Sequence, residues 1–158
     1  MFREIRKKKN AISPEAAEQL LAEARRGVLS VQGDDGYPYG LPINYVYVPE
    51  DAKIYFHGSR AGHKVDSLQR SDKVSFTVIG SETIKEESWA PYVQSVIVFG
   101  RCRLISDQAV AIELVRKFAN KYYPDSNLVE EEIAMSGKAV QMYEIQIEHI
   151  SGKEVQER

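Results

Sequence analysis

Ala17, Leu20, Leu21 and Ala24 stand at i, i+3, i+4 and i+7, which puts them on one apolar stripe of a helix. Ser13-Pro14-Glu15 supplies the start of that helix: a capping hydroxyl, a proline suited to the first turn, and a carboxylate against the helix dipole. Gly27 is expected just past its end. From residue 28 the rhythm shortens to two. Residues 28–32 are short and rich in β-formers, the GDDG at 33–36 signals a turn, and the chain returns as a long strand over 37–48. In that strand Leu41, Ile43, Tyr45 and Tyr47 share one face, and Pro42, Asn44, Val46 and Val48 share the other. Pro49-Glu50-Asp51 turns the chain into a third strand over 53–57.

After the GSRAGHK run at 58–64, Ala61, Val65 and Leu68 lie at helical spacing. A fourth strand is expected over 73–79, a polar loop over 80–91, and a long strand over 92–105 in which Gly100 marks a bulge. Ser106 can cap a helix whose stripe is Ala111, Leu114, Val115, Phe118 and Tyr122, and Pro124 stops it. A further short helix is expected over 130–135. In the last strand Tyr143, Ile145 and Ile147 face inward while Glu144, Gln146 and Glu148 face out. About six strands joined mostly by short turns, with three or four helices, make an α+β, mainly β chain with an antiparallel sheet. A closed or partly closed barrel with helices at its ends fits better than a doubly wound sheet. No linker-like stretch divides residues 1–158, so one domain is expected.

Composition narrows the function classes. Lys+Arg is 21 and Asp+Glu is 23, for a net charge of −2, which gives no general pull toward nucleic acid or an anionic membrane. One cysteine, Cys102, can close no internal bridge, and no CxxC pair offers zinc ligands. No apolar run approaches a membrane span, and the N-terminus has no apolar signal core, so a cytoplasmic protein is expected. The opening MFREIRKKKN carries Arg3, Arg6, Lys7, Lys8 and Lys9: either a solvated basic arm or a contact to an anionic cofactor or partner.

The chemistry concentrates at residues 53–69, a strand, the GSRAGHK run and a helix. A helix start presents unpaired N–H groups and the positive end of the dipole. Gly58 and Gly62 allow close approach of a ligand, Ser59 can donate, and Arg60, His63 and Lys64 add charge. This is an anion site or a plain basic helix start. It has neither the spacing of a P-loop nor a dinucleotide fingerprint. His57, His63 and His149 lack metal-ligand spacing, so no metal site is expected. No G-x-S-x-G elbow and no defensible carboxylate pair is present. His57, at a strand end beside the anion site, is either a hydrogen-bonded edge histidine or a catalytic one. Cys102 alternates with Arg101 and Arg103 and is expected to face inward. Tyr37, Tyr39, Tyr45, Tyr47, Tyr55 and Phe56 crowd two adjacent strands, where they fill a β core or wall a planar aromatic cofactor.

Taken in order, GVLSVQGDDGYPYGLPINYVYV, KIYFHGSRAGHKVDSL, KVSFTV, YVQSVIVFGRCRLI and EIQIEHISGKE, together with the FREIRKKK start, resemble the nitroimidazole-resistance (NimA-like) branch of the pyridoxamine 5′-phosphate oxidase superfamily. The resemblance implies an antiparallel split β-barrel that binds FMN at a homodimer interface. By position it sets Pro42, Ile43, Asn44 and Tyr45 against the flavin ring, and His57 and Gly58 beside it. It implies that His63 and Lys64 meet the FMN phosphate, that Ser95 contacts the flavin from another strand, and that His57 is the catalytic candidate. The C-terminal Trp- and Arg-bearing segment with which pyridoxamine phosphate oxidases grip their substrate has no counterpart in GKEVQER, and Trp89 lies mid-chain. The resemblance to the nitroimidazole-resistance branch implies instead reduction of nitroaromatic compounds such as 5-nitroimidazoles to amines. The alternative is a non-enzymatic flavin- or haem-binding protein for storage or redox sensing.

Overall fold

The computed structural model describes residues 1–86 and 88–157. Among them seven strands form one antiparallel sheet: β1 (Arg26–Gln32), β2 (Pro38–Asn44), β3 (Val46–Val48), β4 (Lys53–Gly58), β5 (Lys73–Thr83), β6 (Tyr92–Leu104) and β7 (Gln141–Gln156). Their order across the sheet is β2-β1-β5-β6-β7-β4-β3. The two edge strands, β2 and β3, are one stretch of chain broken only at Tyr45. The sheet therefore curls until its edges are joined through a single segment, which is the antiparallel split barrel of an α+β protein. Seven strands stand where six were expected because the strand over 37–48 divides at that residue. The helices are α1 (Pro14–Glu23), α2 (His63–Arg70), α3 (Gln108–Tyr122) and α4 (Ser126–Ser136). None is long and apolar enough to cross a membrane.

Several boundaries move from their expected places, each for a local reason. The Ser13 hydroxyl does cap α1, accepting the Ala16 N–H at 3.1 Å. The helix ends at Glu23, however, and Gly27 belongs to β1 rather than to a helix terminus. It is a packing glycine: a Cβ there would stand 2.3 Å from the Phe76 ring. Asp107, not Ser106, caps α3, its carboxylate accepting from the Ala109 and Val110 N–H groups. Asp125 caps α4 in the same way, so that helix begins ahead of residue 130. β5 continues beyond residue 79 to Thr83 through a register shift between Ile79 and Glu82. The expected irregularity at Gly100 is present as a register shift between Phe99 and Gly100. His149 lies inside β7 opposite Phe99.

The barrel interior holds Leu29, Phe76, Val96, Val98 and Ile145, closed from one side by Ala17 and Leu21 of α1. A second cluster lies under α3, where Val48, Tyr55 and Met142 meet Ala111, Leu114 and Phe118. Each fully buried aliphatic or aromatic side chain contributes roughly 1.5–3 kcal/mol, so these two clusters hold the helices to the sheet. Cys102 faces inward as expected, and burial pushes its thiol up to about 12. The N-terminal arm is laid on the outer face of the sheet, with the Phe2 ring stacked on Phe99 at 5.4 Å and on His149 at 5.0 Å.

Candidate functional site

The ladder between β3 and β4 pairs Val46 with Tyr55, Tyr47 with Ile54 and Val48 with Lys53. Continued by two residues, that register would set Asn44 opposite His57. Instead Asn44 pairs with Arg26 on β1. The chain changes partner at Tyr45, and a wedge opens between the two arms of the barrel. That wedge is a cleft of about 430 Å³ lined by Arg26, Pro42, Ile43, Asn44 and His57. Its volume falls in the range of small-molecule sites, roughly 300–1,000 Å³.

The partner change is held open from behind. Tyr45 is completely buried, its hydroxyl donates to the Leu21 carbonyl at 2.5 Å, and its ring meets Phe76 edge-on at 4.7 Å. The Tyr45 N–H, without a ladder partner, donates to the Tyr122 hydroxyl at 2.8 Å. That hydroxyl lies 2.6 Å from the Arg25 carbonyl and 2.7 Å from the Tyr45 carbonyl, and it donates its one proton to either. The Lys121 ammonium donates to the Ala24 carbonyl at 2.6 Å and to the Tyr45 carbonyl at 3.0 Å, and lies 4.0 Å from the centre of the Tyr45 ring. Burial, and then the Arg25 charge, bring Lys121 down to about 8. Thus the end of α3 fastens the residue at which the barrel splits.

His57 stands at the cleft mouth with its ring edge-on to Phe118 at 4.9 Å. Burial, and then the Lys64 ammonium, hold its imidazole below the ordinary value. At neutral pH it is therefore uncharged, with one N–H to donate and one nitrogen to accept. Lys64 rises from the first turn of α2 over the rings of Phe56 (5.2 Å) and Tyr143 (5.1 Å), and burial lowers its own pKa. Gly58 makes room for it: a Cβ there would lie 2.4 Å from the Lys64 ammonium. Among the described residues no carboxylate pairs with Lys64. His63 turns the other way, stacked on Tyr39 at 4.1 Å with Nε2 3.6 Å from Asp34. Between them Gly62 caps α2 at φ +119°, a conformation that suits glycine, and open space lies where a side chain would be.

The expected site residues thus fall in three places. Pro42, Ile43, Asn44 and His57 share the cleft. Gly58, His63 and Lys64 surround the start of α2 beside it. Ser95 lies far along β6, opposite Lys153, in a separate hollow on the outer face with Arg3 and Arg6. Tyr45 turns its side chain into the core and is not among the residues that line the cleft. Arg26, a cleft residue, carried no sequence signal beyond its place before a strand. Lys121 carried none, and Tyr122 showed only as a member of a helix stripe.

A split β-barrel with a cleft at its seam is the class of protein that fold and site define. The family model of pyridoxamine 5′-phosphate oxidases matches residues 13–154, and the chain belongs to that family. Among solved structures it is similar to a protein from Bacteroides thetaiotaomicron assigned to 5-nitroimidazole antibiotic resistance, with a TM-score of 0.77 and 18% identity over 92% of this chain and 87% of that one. A FAD-binding protein from Mesorhizobium loti matches with a TM-score of 0.67 and 22% identity over 94% of this chain and 96% of that one. A flavocytochrome from Azotobacter vinelandii matches with a TM-score of 0.72 and 22% identity over 96% of this chain and 72% of that one. At these identities the likeness is one of fold. No curated protein sequence matches the chain.

Proposed function

We propose that this chain is a cytoplasmic, single-domain flavoprotein that binds FMN between two copies of itself and reduces nitroaromatic compounds such as 5-nitroimidazoles to amines. The observation that carries the reading is the seam cleft, in which Pro42, Ile43, Asn44 and His57 meet the cationic Arg26 next to the start of α2. The residues suit a phosphorylated planar group. Lys64, an ammonium with no carboxylate partner among the described residues, rises from the first turn of α2, whose glycine cap is open and whose first-turn N–H groups favour an anion. Asn44, His57 and Arg26 provide donors and an acceptor at the cleft wall, and Pro42 and Ile43 an apolar surface. The likeness to flavin-binding split barrels supports the same reading.

Bound FMN would supply the electron chemistry. Lys64 and the start of α2 would hold its phosphate, and the 42–45 backbone, fastened by Tyr122 and Lys121, would border its ring. Reduction of a nitro group takes electrons in pairs with a proton for each and releases water. His57, uncharged at neutral pH, orients the nitro oxygen by its N–H and becomes a proton donor only once acidified.

Pairing of two copies is supported by the outer face of the sheet. Pro42, Val28, Thr77, Ile97 and Ser151 lie side by side on five strands, as do Gly40, Ser30, Ser75, Phe99 and His149. Neither row holds a carboxylate, lysine or arginine; Val28 stays exposed, and the Phe2 ring of the N-terminal arm covers part of Phe99 and His149. Such a surface suits burial against a partner, and it begins at Pro42, inside the cleft. Ser95, one row further along, would then reach the cleft only from the second copy.

The test is the visible spectrum of the purified protein after FMN addition and removal of excess, followed by 5-nitroimidazole consumption with dithionite as reductant. A retained two-band flavin spectrum and amine formation are expected, with amine formation slowed by His57→Ala while FMN stays bound. A colourless protein that refuses FMN overturns the reading, and a Soret band favours the haem-binding alternative.

A further inference from the structure

A cavity larger than the seam cleft lies elsewhere on the molecule. It is a groove of about 560 Å³ between α3 and α4. Its floor is apolar: Val115 and Ala119 from α3, Leu128, Ile133 and Met135 from α4, and Val140 beyond it. Its rim carries Asp125, Glu131 and Glu132, and no lysine, arginine or histidine lines it. The Asp125 carboxylate is occupied in capping α4. Glu131 and Glu132 have no ion-pair partner among the described residues, whereas their neighbour Glu130 is taken by Arg116. Leu128, Glu131, Glu132 and Met135 stand at i, i+3, i+4 and i+7, so α4 presents apolar and anionic groups on one stripe.

The walls are tied. The Arg116 guanidinium bridges Glu113 on α3 and Glu130 on α4, and the Gln108 side chain donates to the Lys138 carbonyl at 3.1 Å at the far end. These contacts cross the gap on the surface at its two ends and leave the apolar floor between them open. Leu128 and Met135 nonetheless remain 60% and 79% exposed, a cost in apolar surface that an occupant would relieve. The geometry points to a second binding site, independent of the seam cleft, for a drug-sized apolar molecule with a cationic head: the body lies on the Val115–Ala119 wall and against Leu128 and Met135, and the head meets Glu131 and Glu132. An anionic amphiphile would meet like charge at that rim, and a neutral one would leave both carboxylates to water.

The experiment uses the full chain and three probes with one apolar body: decyltrimethylammonium, decanol and decyl sulfate, each below micelle-forming concentration. Affinity is read by calorimetry and location by amide NMR shifts. The cation is expected to bind saturably with shifts over residues 115–140 and about fivefold more tightly than decanol, as two exposed carboxylates can supply. Glu131→Gln/Glu132→Gln, a change at exposed positions, is expected to remove that preference and leave decanol affinity unchanged, and Ala119→Phe to weaken both probes. FMN affinity is expected to be equal in wild type and the glutamine variant, so failure here and failure of the flavin reading are separable. The site is overturned if the shifts fall on the outer sheet face, if decyl sulfate binds as tightly as the cation, or if the preference survives in the glutamine variant.

Discussion

Replacing Tyr122 with phenylalanine removes one oxygen from the fastening of the seam and leaves the ring that packs on Phe118. That oxygen accepts the Tyr45 N–H, and no ladder carbonyl is placed to take over. A buried donor left unpaired costs about 1–3 kcal/mol. The two carbonyls it serves are less exposed to loss: Tyr45 O keeps the Lys121 ammonium, and Arg25 is at the surface where water replaces the phenol. The expected destabilisation is therefore about 2 kcal/mol, or a fall in melting temperature of about 4–8 °C for a chain of this size. Urea denaturation followed by circular dichroism measures it, with an unchanged denaturant slope showing that the fold is kept. FMN affinity should fall in parallel, because Pro42 to Asn44 hang from the same point. Lys121→Met is the companion. Its folded value of about 8 lies below the ordinary 10.5, so the unfolded chain binds more protons between those limits and wild-type stability rises with pH across them. The wild type should thus gain on Lys121→Met as pH climbs from 8 to 10.5. A Tyr122→Phe protein within 0.5 kcal/mol of wild type, with undiminished FMN affinity, would refute the claim that this contact holds the seam.

Lys64→Met should raise the His57 pKa measured by NMR titration toward its ordinary value, since the Lys64 charge is the second cause of its depression after burial; no movement would separate the two residues. Gly100→Ala should destabilise by about 1–3 kcal/mol, because its Cβ would stand 2.3 Å from the Gln146 carbonyl oxygen, and thermal melts will show whether the strand yields. Val28→Glu places a charge in the middle of the uncharged outer rows and should halve the mass seen by light scattering; a wild type already of one-chain mass would rule out the proposed pairing.

Local rules made much of the fold legible. The stripe Ala17, Leu20, Leu21 and Ala24 is the face that closes the barrel, and the alternation at Leu41, Ile43 and Tyr45 points inward. Where expectation slipped, two residues competed for one role. Ser106 and Asp107 are both N-cap residues, and only backbone direction decides between them. Gly27 carries a C-terminal signal yet is required by the Phe76 ring, a neighbour 49 positions away in sequence. Resemblance placed Pro42, Ile43, Asn44 and His57 together, and alternation alone would not have done so. Arg26 and Lys121 were illegible for a different reason: each matters through a carbonyl or a cleft wall contributed by a distant segment.

The seam explains why polar groups gather where they do. A strand that serves both edges of a barrel must leave one ladder and enter another, and at the crossing its backbone groups lose their regular partners. Those groups need donors and acceptors from elsewhere, which here come from Lys121 and Tyr122. The same crossing pulls Asn44 away from His57 and opens a cleft between otherwise continuous strands. Closing the barrel and creating a ligand site are thus one geometric event. A substitution that let Asn44 pair with His57 would restore the ladder, and in doing so would erase the cleft.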